Sequence, residues 1–218
     1  PTVQPTPGPM LPVLSRARVD GMQVAITVDD CFQLDNVNEI AQIAMDNGAK
    51  LTFFPVGRPL KRDPATWKRL HELGFQIECH TYQHNNLLKL DEKQIRRELE
   101  MSNWQLNRDL GVQYTYHFLR TPGGSARDDP RVHAIMADLG GYRFMAHWKL
   151  SGTGMSGKKM ADTILPGDIV LYHSTDKDLA KLRDLIPMAV QQGFQLVTLN
   201  ELLGLPPNET APLDDASK

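Results

Sequence analysis

The chain reads as an α/β protein built on a parallel sheet of about seven strands. Three observations predict this. Apolar, strand-like runs alternate about seven times with amphipathic stretches, the rhythm of a parallel sheet with crossover helices. Each amphipathic stretch ends near a glycine, which is helix-stop chemistry. Polar groups suited to catalysis or metal binding gather just after the strand-like runs, where α/β folds keep their sites.

Residues 1–20 open the chain with Pro1, Pro5, Pro7, Pro9 and Pro12, and are expected to form a semi-stiff linker or tail. Strands are then expected at Val24–Val28, Leu51–Phe54, Gln76–Cys79, His117–Arg120, Tyr142–Ala146, Asp168–Tyr172 and Gln195–Thr198. Helices are expected at Asn36–Asn47, Ala65–Leu73, Asp91–Asp109, Pro130–Leu139 and Asp178–Gln192. Asp35, Asp91 and Asp129 suit helix N-caps. Gly48, Gly74, Gly111, Gly140 and Gly193 suit helix ends. No repeat beyond this unit and no second domain is visible, so residues 21–204 form the expected catalytic domain. Residues 205–218 turn polar and acidic after Pro206-Pro207 and are expected to be disordered. Asn208-Glu209-Thr210 matches a glycosylation acceptor, or is simply part of a polar tail.

With 218 residues, 41% hydrophobic and 23% charged, the composition is that of a globular protein. The net charge of −2 argues against a nucleic-acid partner. No apolar run approaches the roughly 18 residues of a membrane helix. The chain does not begin with Met, so a processed or trimmed product is expected, without its signal or anchor. Two cysteines make no disulfide scaffold. Cys31 and Cys79 each adjoin a candidate ligand, and read as buried thiols, as a disulfide, or as an occasional sulfur ligand.

His80 and His84 can close on one small cation. The paired carboxylates Asp29-Asp30 are costly unless a cation or a proton shares them. Two histidines and a carboxylate match the ligand count of catalytic zinc, which keeps a position open for water. Arg120-Thr121-Pro122-Gly123-Gly124, His147-Trp148 and Leu171-Tyr172-His173 follow or end later strands. Singly, each has a bland reading as surface charge, turn or core. Together they are suited to one site.

These residues resemble the NodB-homology polysaccharide deacetylases, carbohydrate esterase family 4. The matching motifs are Thr27-Val28-Asp29-Asp30-Cys31, His80-Thr81-Tyr82-Gln83-His84, Arg120-Thr121-Pro122-Gly123-Gly124 and Leu171-Tyr172-His173, and Thr52–Gly57 resembles the family's second strand. The resemblance spans about Val24 to Leu203 and implies a distorted (β/α) barrel. It implies that Asp30, His80 and His84 bind a divalent metal, zinc foremost, with cobalt or nickel as alternatives. It implies Asp29 as general base, Arg120 as its orienter and His173 as general acid. Phe32, Pro122, Gly123, Trp148 and Leu171 are the expected substrate contacts, Leu171 in the acetyl pocket. The implied activity is deacetylation of N-acetylated sugars of a cell-envelope polysaccharide, by a monomer that is secreted or held in the envelope.

Three positions depart from the family pattern. Cys31-Phe32 stands where Gly-Pro is usual, and Gly123 stands where tyrosine is common. No Asp or Glu occurs from Leu139 to Ala161, so the fourth motif lacks the carboxylate that pairs with the motif-three arginine, and Arg120 needs another partner. Alternative readings are a catalytically weak carbohydrate-binding relative that keeps the metal, and an O-acetyl esterase on xylan-like polymers.

Overall fold

In the computed structural model, which describes residues 10–213, the eight-residue strand β2 (Gln23–Asp30) lies at the centre of the sheet. It pairs in parallel with β3 (Thr52–Pro55), with β9 (Ile169–His173) and, at its N-terminal end, with β10 (Gln195–Leu196). β4 (Gln76–Ile77) extends the sheet beyond β3, and β8 (Leu150–Ser151) extends it beyond β9. A parallel bridge between Cys79 and Leu119 carries the wall on to β6 (Phe118–Leu119), which pairs with β7 (Phe144–Ala146). All these pairings are parallel, as expected for a distorted (β/α) barrel.

The wall closes with β1 (Val13–Leu14), which pairs in parallel with β7. Just beyond it, Ser15 O accepts from Ile169 N at 3.3 Å, and Gly167 O accepts from Ala17 N at 2.8 Å. This corrects the expectation of a structureless linker across residues 10–20; residues 1–9 lie outside the described part. Proline fits here because the position asks for an acceptor: the Pro12 carbonyl takes the Met145 N–H at 2.9 Å.

Period-two alternation sorts the side chains of the strands. Val24, Ile26 and Val28 join the large apolar cluster beneath the helices. Ala25 joins Phe54, Phe118, Ala146 and Ile169 in a second cluster, inside the barrel. Thr27 and Asp29 continue that inner face towards the rim.

The helices are α1 (Leu34–Asp46), α2 (Pro64–Glu72), α3 (Glu92–Leu110), α4 (Pro130–Leu139), α5 (Gly157–Ala161), α6 (Asp176–Gln191) and α7 (Leu199–Leu202). Asp91 caps α3 in a reciprocal box with Gln94, and Gly111 ends it at φ 75°. Asp129 caps α4. Asp35 does not cap α1: Gln33 holds that position, and Asp35 lies in the first turn, where its charge suits the helix dipole.

The C-terminal stretch is also corrected. β11 (Thr210–Pro212) pairs antiparallel with β5 (Val112–Tyr114). Asn208 Nδ2 donates to Glu78 Oε1 at 2.7 Å and to the Thr115 carbonyl at 2.8 Å, while Asn208 Oδ1 accepts from Asn200. The amide is thus a structural clamp on a buried carboxylate, and its nitrogen is not free to act as a glycan acceptor. Burial pushes Glu78 up to about 8, against hydrogen bonds from Phe118 N, Asn208, Gln76 and His117 N.

Candidate active site

Strand register assembles the site. Asp29 stands opposite His173 on β9, and Asp30 stands opposite Pro55 on β3. His80 follows the Cys79 bridge that joins β4 to β6, and Arg120 follows β6 directly. The rim residues expected from sequence therefore meet at one end of the barrel.

Asp30, His80 and His84 converge, each offering a ligand atom within 4.8 Å of the others. Asp30 Oδ1 lies 3.2 Å from His80 Nε2 and 3.1 Å from His84 Nε2. It is buried, yet accepts no well-aligned hydrogen bond. His80 Nδ1 donates to the Arg120 carbonyl at 2.7 Å. A carbonyl can only accept, so the tautomer is fixed and the Nε2 lone pair is turned to the cluster. A cation bonded at about 2.1 Å would set its donors roughly 3.0–3.4 Å apart. The donor set, its spacing and the orphaned carboxylate oxygen all fit such an ion. Burial would push the Asp30 carboxyl up, but the two imidazoles outweigh it and hold it well below the usual range. Asp30 in turn raises His84.

The backbone here is strained. Among the described residues, those with positive φ other than glycine are Asp30 (64°), Cys31 (58°), Thr81 (65°) and His84 (62°). Each costs on the order of 1–3 kcal/mol. The strain falls on the two segments that carry the candidate ligands.

Asp29 is buried against Arg120, with Oδ1 2.6 Å from Nη1. Arg120 is fully buried. It also donates to Thr27 Oγ1 at 2.7 Å and to the His147 carbonyl at 3.1 Å, and stacks 4.2 Å over the Phe54 ring. The partner missing from the fourth motif is thus supplied by a backbone carbonyl of the same stretch.

His173 is half-buried, and its Nδ1 stands 3.5 Å from Asp178 Oδ2. The same oxygen accepts the His173 N–H at 3.0 Å, and Lys181 holds the other oxygen at 2.9 Å. Asp178 raises His173, and Asp29 and Asp30 add to this against the effect of burial. Burial would raise Asp178, but His173 and Lys181 hold it at about 2. Asp178 was not singled out from sequence. Its signal is local: Thr175 caps α6 by accepting the Asp178 N–H. This leaves the Asp178 carboxylate, at the third helical position, free to reach back to His173.

Phe32 is 47% exposed and sets its ring edge-on to His84, with centroids 6.4 Å apart. With Gln33, Ser174, Thr175 and Lys177 it lines a cleft of about 500 Å³ that reaches Asp30 and His173. Trp148 lies across the rim against Gly124, where an added Cβ would come within 2.9 Å of its ring. Leu171 is paired with Thr27, and Pro122 is buried. Gly123 is exposed and left-handed, at φ 59°. Cys31 and Cys79 are both free and buried. Burial pushes the Cys31 thiol well up and Cys79 to about 11, so neither is a thiolate.

Fold and cluster define a class, an α/β barrel with one carboxylate and two imidazoles converging at its C-terminal rim. The chain matches the polysaccharide deacetylase family over residues 16–143 and belongs to that family. It is 29% identical over 190 residues to a peptidoglycan-N-acetylglucosamine deacetylase of Bacillus cereus, covering 81% of this chain. It spans 66% of that relative's length, just under two thirds. Among solved structures it resembles the Bc1960 peptidoglycan N-acetylglucosamine deacetylase, with TM-score 0.77, 24% identity and coverage of 90% and 95% of the two chains. It also resembles BA3943 of Bacillus anthracis, described as a CE4 family pseudoenzyme, with TM-score 0.76, 22% identity and coverage of 90% and 69%. These likenesses fix the fold as that of the carbohydrate esterase family 4 deacetylases.

Proposed function

We propose that this chain is a metal-dependent hydrolase that removes acetyl groups from N-acetylated sugars of a cell-envelope polysaccharide, of the peptidoglycan or poly-N-acetylglucosamine type. One observation carries the reading. Asp29 and His173 face each other across paired strands beside the ligand-type cluster, and each is held by its own buried partner, Arg120 or Asp178.

A divalent cation, zinc foremost, would be held by Asp30, His80 and His84, and would polarise the acetyl carbonyl and ease deprotonation of a water. Asp29, fixed by Arg120, takes the proton of the attacking water. His173, whose protonated form Asp178 favours, gives its proton to the departing amine, which leaves poorly without it. The Gly123 N–H is offered to the developing oxyanion. Leu171, Trp148 and Pro122 wall in the acetyl group. Phe32 gives a sugar ring an apolar face to lie on. No described helix is long and apolar enough to cross a membrane, and we assign action at the envelope or outside the cell, as a monomer.

BA3943 favours a second reading, a silent relative that keeps the fold. Against it stand Asp29 and His173, each held by an oppositely charged buried partner, Arg120 and Asp178. The test is acetate release from N-acetylglucosamine oligomers and from peptidoglycan, with and without chelator. Release that stops with chelator, and stops in Asp29→Asn, supports the enzyme; none from either substrate in zinc-loaded protein sinks it. Xylan acetate release is the arm for the O-acetyl esterase reading.

A further inference from the structure

We infer that Glu98, on α3, is the positioning residue of the histidine loop: it holds residues 80–85 in ligand geometry and thereby sets the affinity for the cation. This rests on the metal reading above.

Glu98 is 4% exposed and spends its carboxylate on that one loop. Its Oε2 accepts the backbone N–H of Tyr82 at 2.9 Å and of Gln83 at 2.7 Å. Its Oε1 accepts from Asn85 Nδ2 at 2.9 Å and from Gln83 Nε2 at 3.4 Å. The loop needs such a clamp because Thr81 and His84 are both left-handed. The other edge of the loop is already pinned. The Thr81 carbonyl accepts from Gly57 N at 2.9 Å, the Tyr82 carbonyl accepts from Arg58 N at 2.8 Å, and Thr81 Oγ1 accepts from His84 N at 3.2 Å. Without Glu98 the N–H groups of Tyr82 and Gln83 lose their acceptor, and the turn that aims His84 is held against its strain from one edge alone.

Packing delivers Glu98 to this place. α3 is capped at both ends and lies hard against Gly57. A Cβ at that glycine would come within 2.9 Å of Ser102 Cα and 3.1 Å of Tyr82 Cδ2. Ser102 is one turn beyond Glu98, so this close approach seats the carboxylate under the loop. Glu98 is not one of the converging ligand residues. It acts on the cation only through the loop.

The experiment uses the full chain and Zn²⁺ alone, in competition with a chromophoric chelator. Glu98→Ala is expected to weaken zinc binding by about 10- to 100-fold, the range for residues that orient a ligand. Glu98→Gln keeps an oxygen for the two backbone donors and should recover most of the loss. Glu98→Asp is one methylene short and should not. The visible spectrum of the Co²⁺ protein should change in Glu98→Ala and Glu98→Asp, and hold in Glu98→Gln. A purely structural role would lower the melting temperature of the metal-free protein and leave zinc affinity unchanged, and that result overturns the inference. If Glu98→Ala does not fold, equal zinc affinity in Glu98→Asp and wild type overturns it instead. Wild-type protein that binds no zinc through His80 and His84 would fail the metal reading itself, a separate and recognisable outcome.

Discussion

The Asp29–Arg120 pair should show strong energetic coupling in metal-free protein. Both groups are buried, 2.6 Å apart, with no other carboxylate bonded to the guanidinium. At an effective dielectric constant of about 20 their attraction is about 6 kcal/mol, set against the cost of burying both charges. Asp29→Asn leaves a cation in the barrel with only neutral acceptors to face, the amide oxygen at position 29, Thr27 Oγ1 and the His147 carbonyl. Arg120→Met leaves an anion there without its cation, with only the His80 imidazole 3.9 Å from its other oxygen. Each change should cost about 3–5 kcal/mol. The double variant removes both charges and should lose no more than one single change does, so the coupling energy should reach several kcal/mol. Urea unfolding of the four proteins in chelator completes the cycle. Losses that add, with coupling under about 0.5 kcal/mol, would refute the buried-pair argument. Arg120 orients His80 through its backbone carbonyl, so Arg120→Met should still bind zinc, although the attacking water loses its fixed base.

Asp30→Asn should strip zinc, because a neutral amide gives the cation less charge, whereas Asp29→Asn should keep most of its metal and lose on the order of 100- to 10,000-fold in turnover; metal content and acetate release measured together separate the two roles. His173 lies above its ordinary value, chiefly through Asp178, so its stabilising contribution is complete below about pH 6.5 and is lost as pH rises through the folded value. Asp178, held at about 2, contributes above its ordinary 3.8 and loses that contribution as pH falls through about 2. Asp178→Asn should therefore flatten the stability profile near neutral pH and depress amide hydrolysis most on the alkaline side, read from a pH–rate profile on an N-acetyl sugar oligomer. His173→Ala should slow that amide more than an aryl acetate, whose phenolate leaves without a proton. Glu78, raised to about 8, binds a proton on folding, so it favours the fold below pH 4.5 and that advantage fades up to about pH 8. Glu78→Gln should make the unfolding free energy less dependent on pH across that interval, and an unchanged slope would count against a protonated Glu78.

Residues at the ends of strand-like runs were legible in the sequence, because parallel strands set their C-terminal ends, and with them Asp29, His80 and His173, at one rim. What bonds across the chain was not. Asp178 looks like an ordinary residue of a helix first turn, and Glu98 like one charge among many on α3. Their carboxylates matter only once folding carries a helix end back to its own strand, or a helix under a loop. The Arg120 partner was hidden for another reason: a backbone carbonyl, that of His147, replaces a side chain and leaves no trace in residue type. Val13–Leu14 and Thr210–Pro212 were masked by the prolines around them. Both strands are two or three residues long and are fixed by partners, Met145 and Tyr114 among them, far away in the chain.

The strand that seals the barrel stands ahead of both its partners in the chain and can dock only after them. Val13 must wait for Met145, and Ser15 for Ile169, so a nascent chain carries an open seam until nearly all of the fold exists. Until then β7 offers a raw edge to any passing strand, the usual start of mispairing between chains. The waiting segment is poorly equipped to make that mistake itself. It has two pairing residues, and Pro12 before them has no N–H to give. A longer, more apolar closing strand would hold the finished barrel more tightly, and would leave each unfinished copy more able to stitch itself to its neighbour.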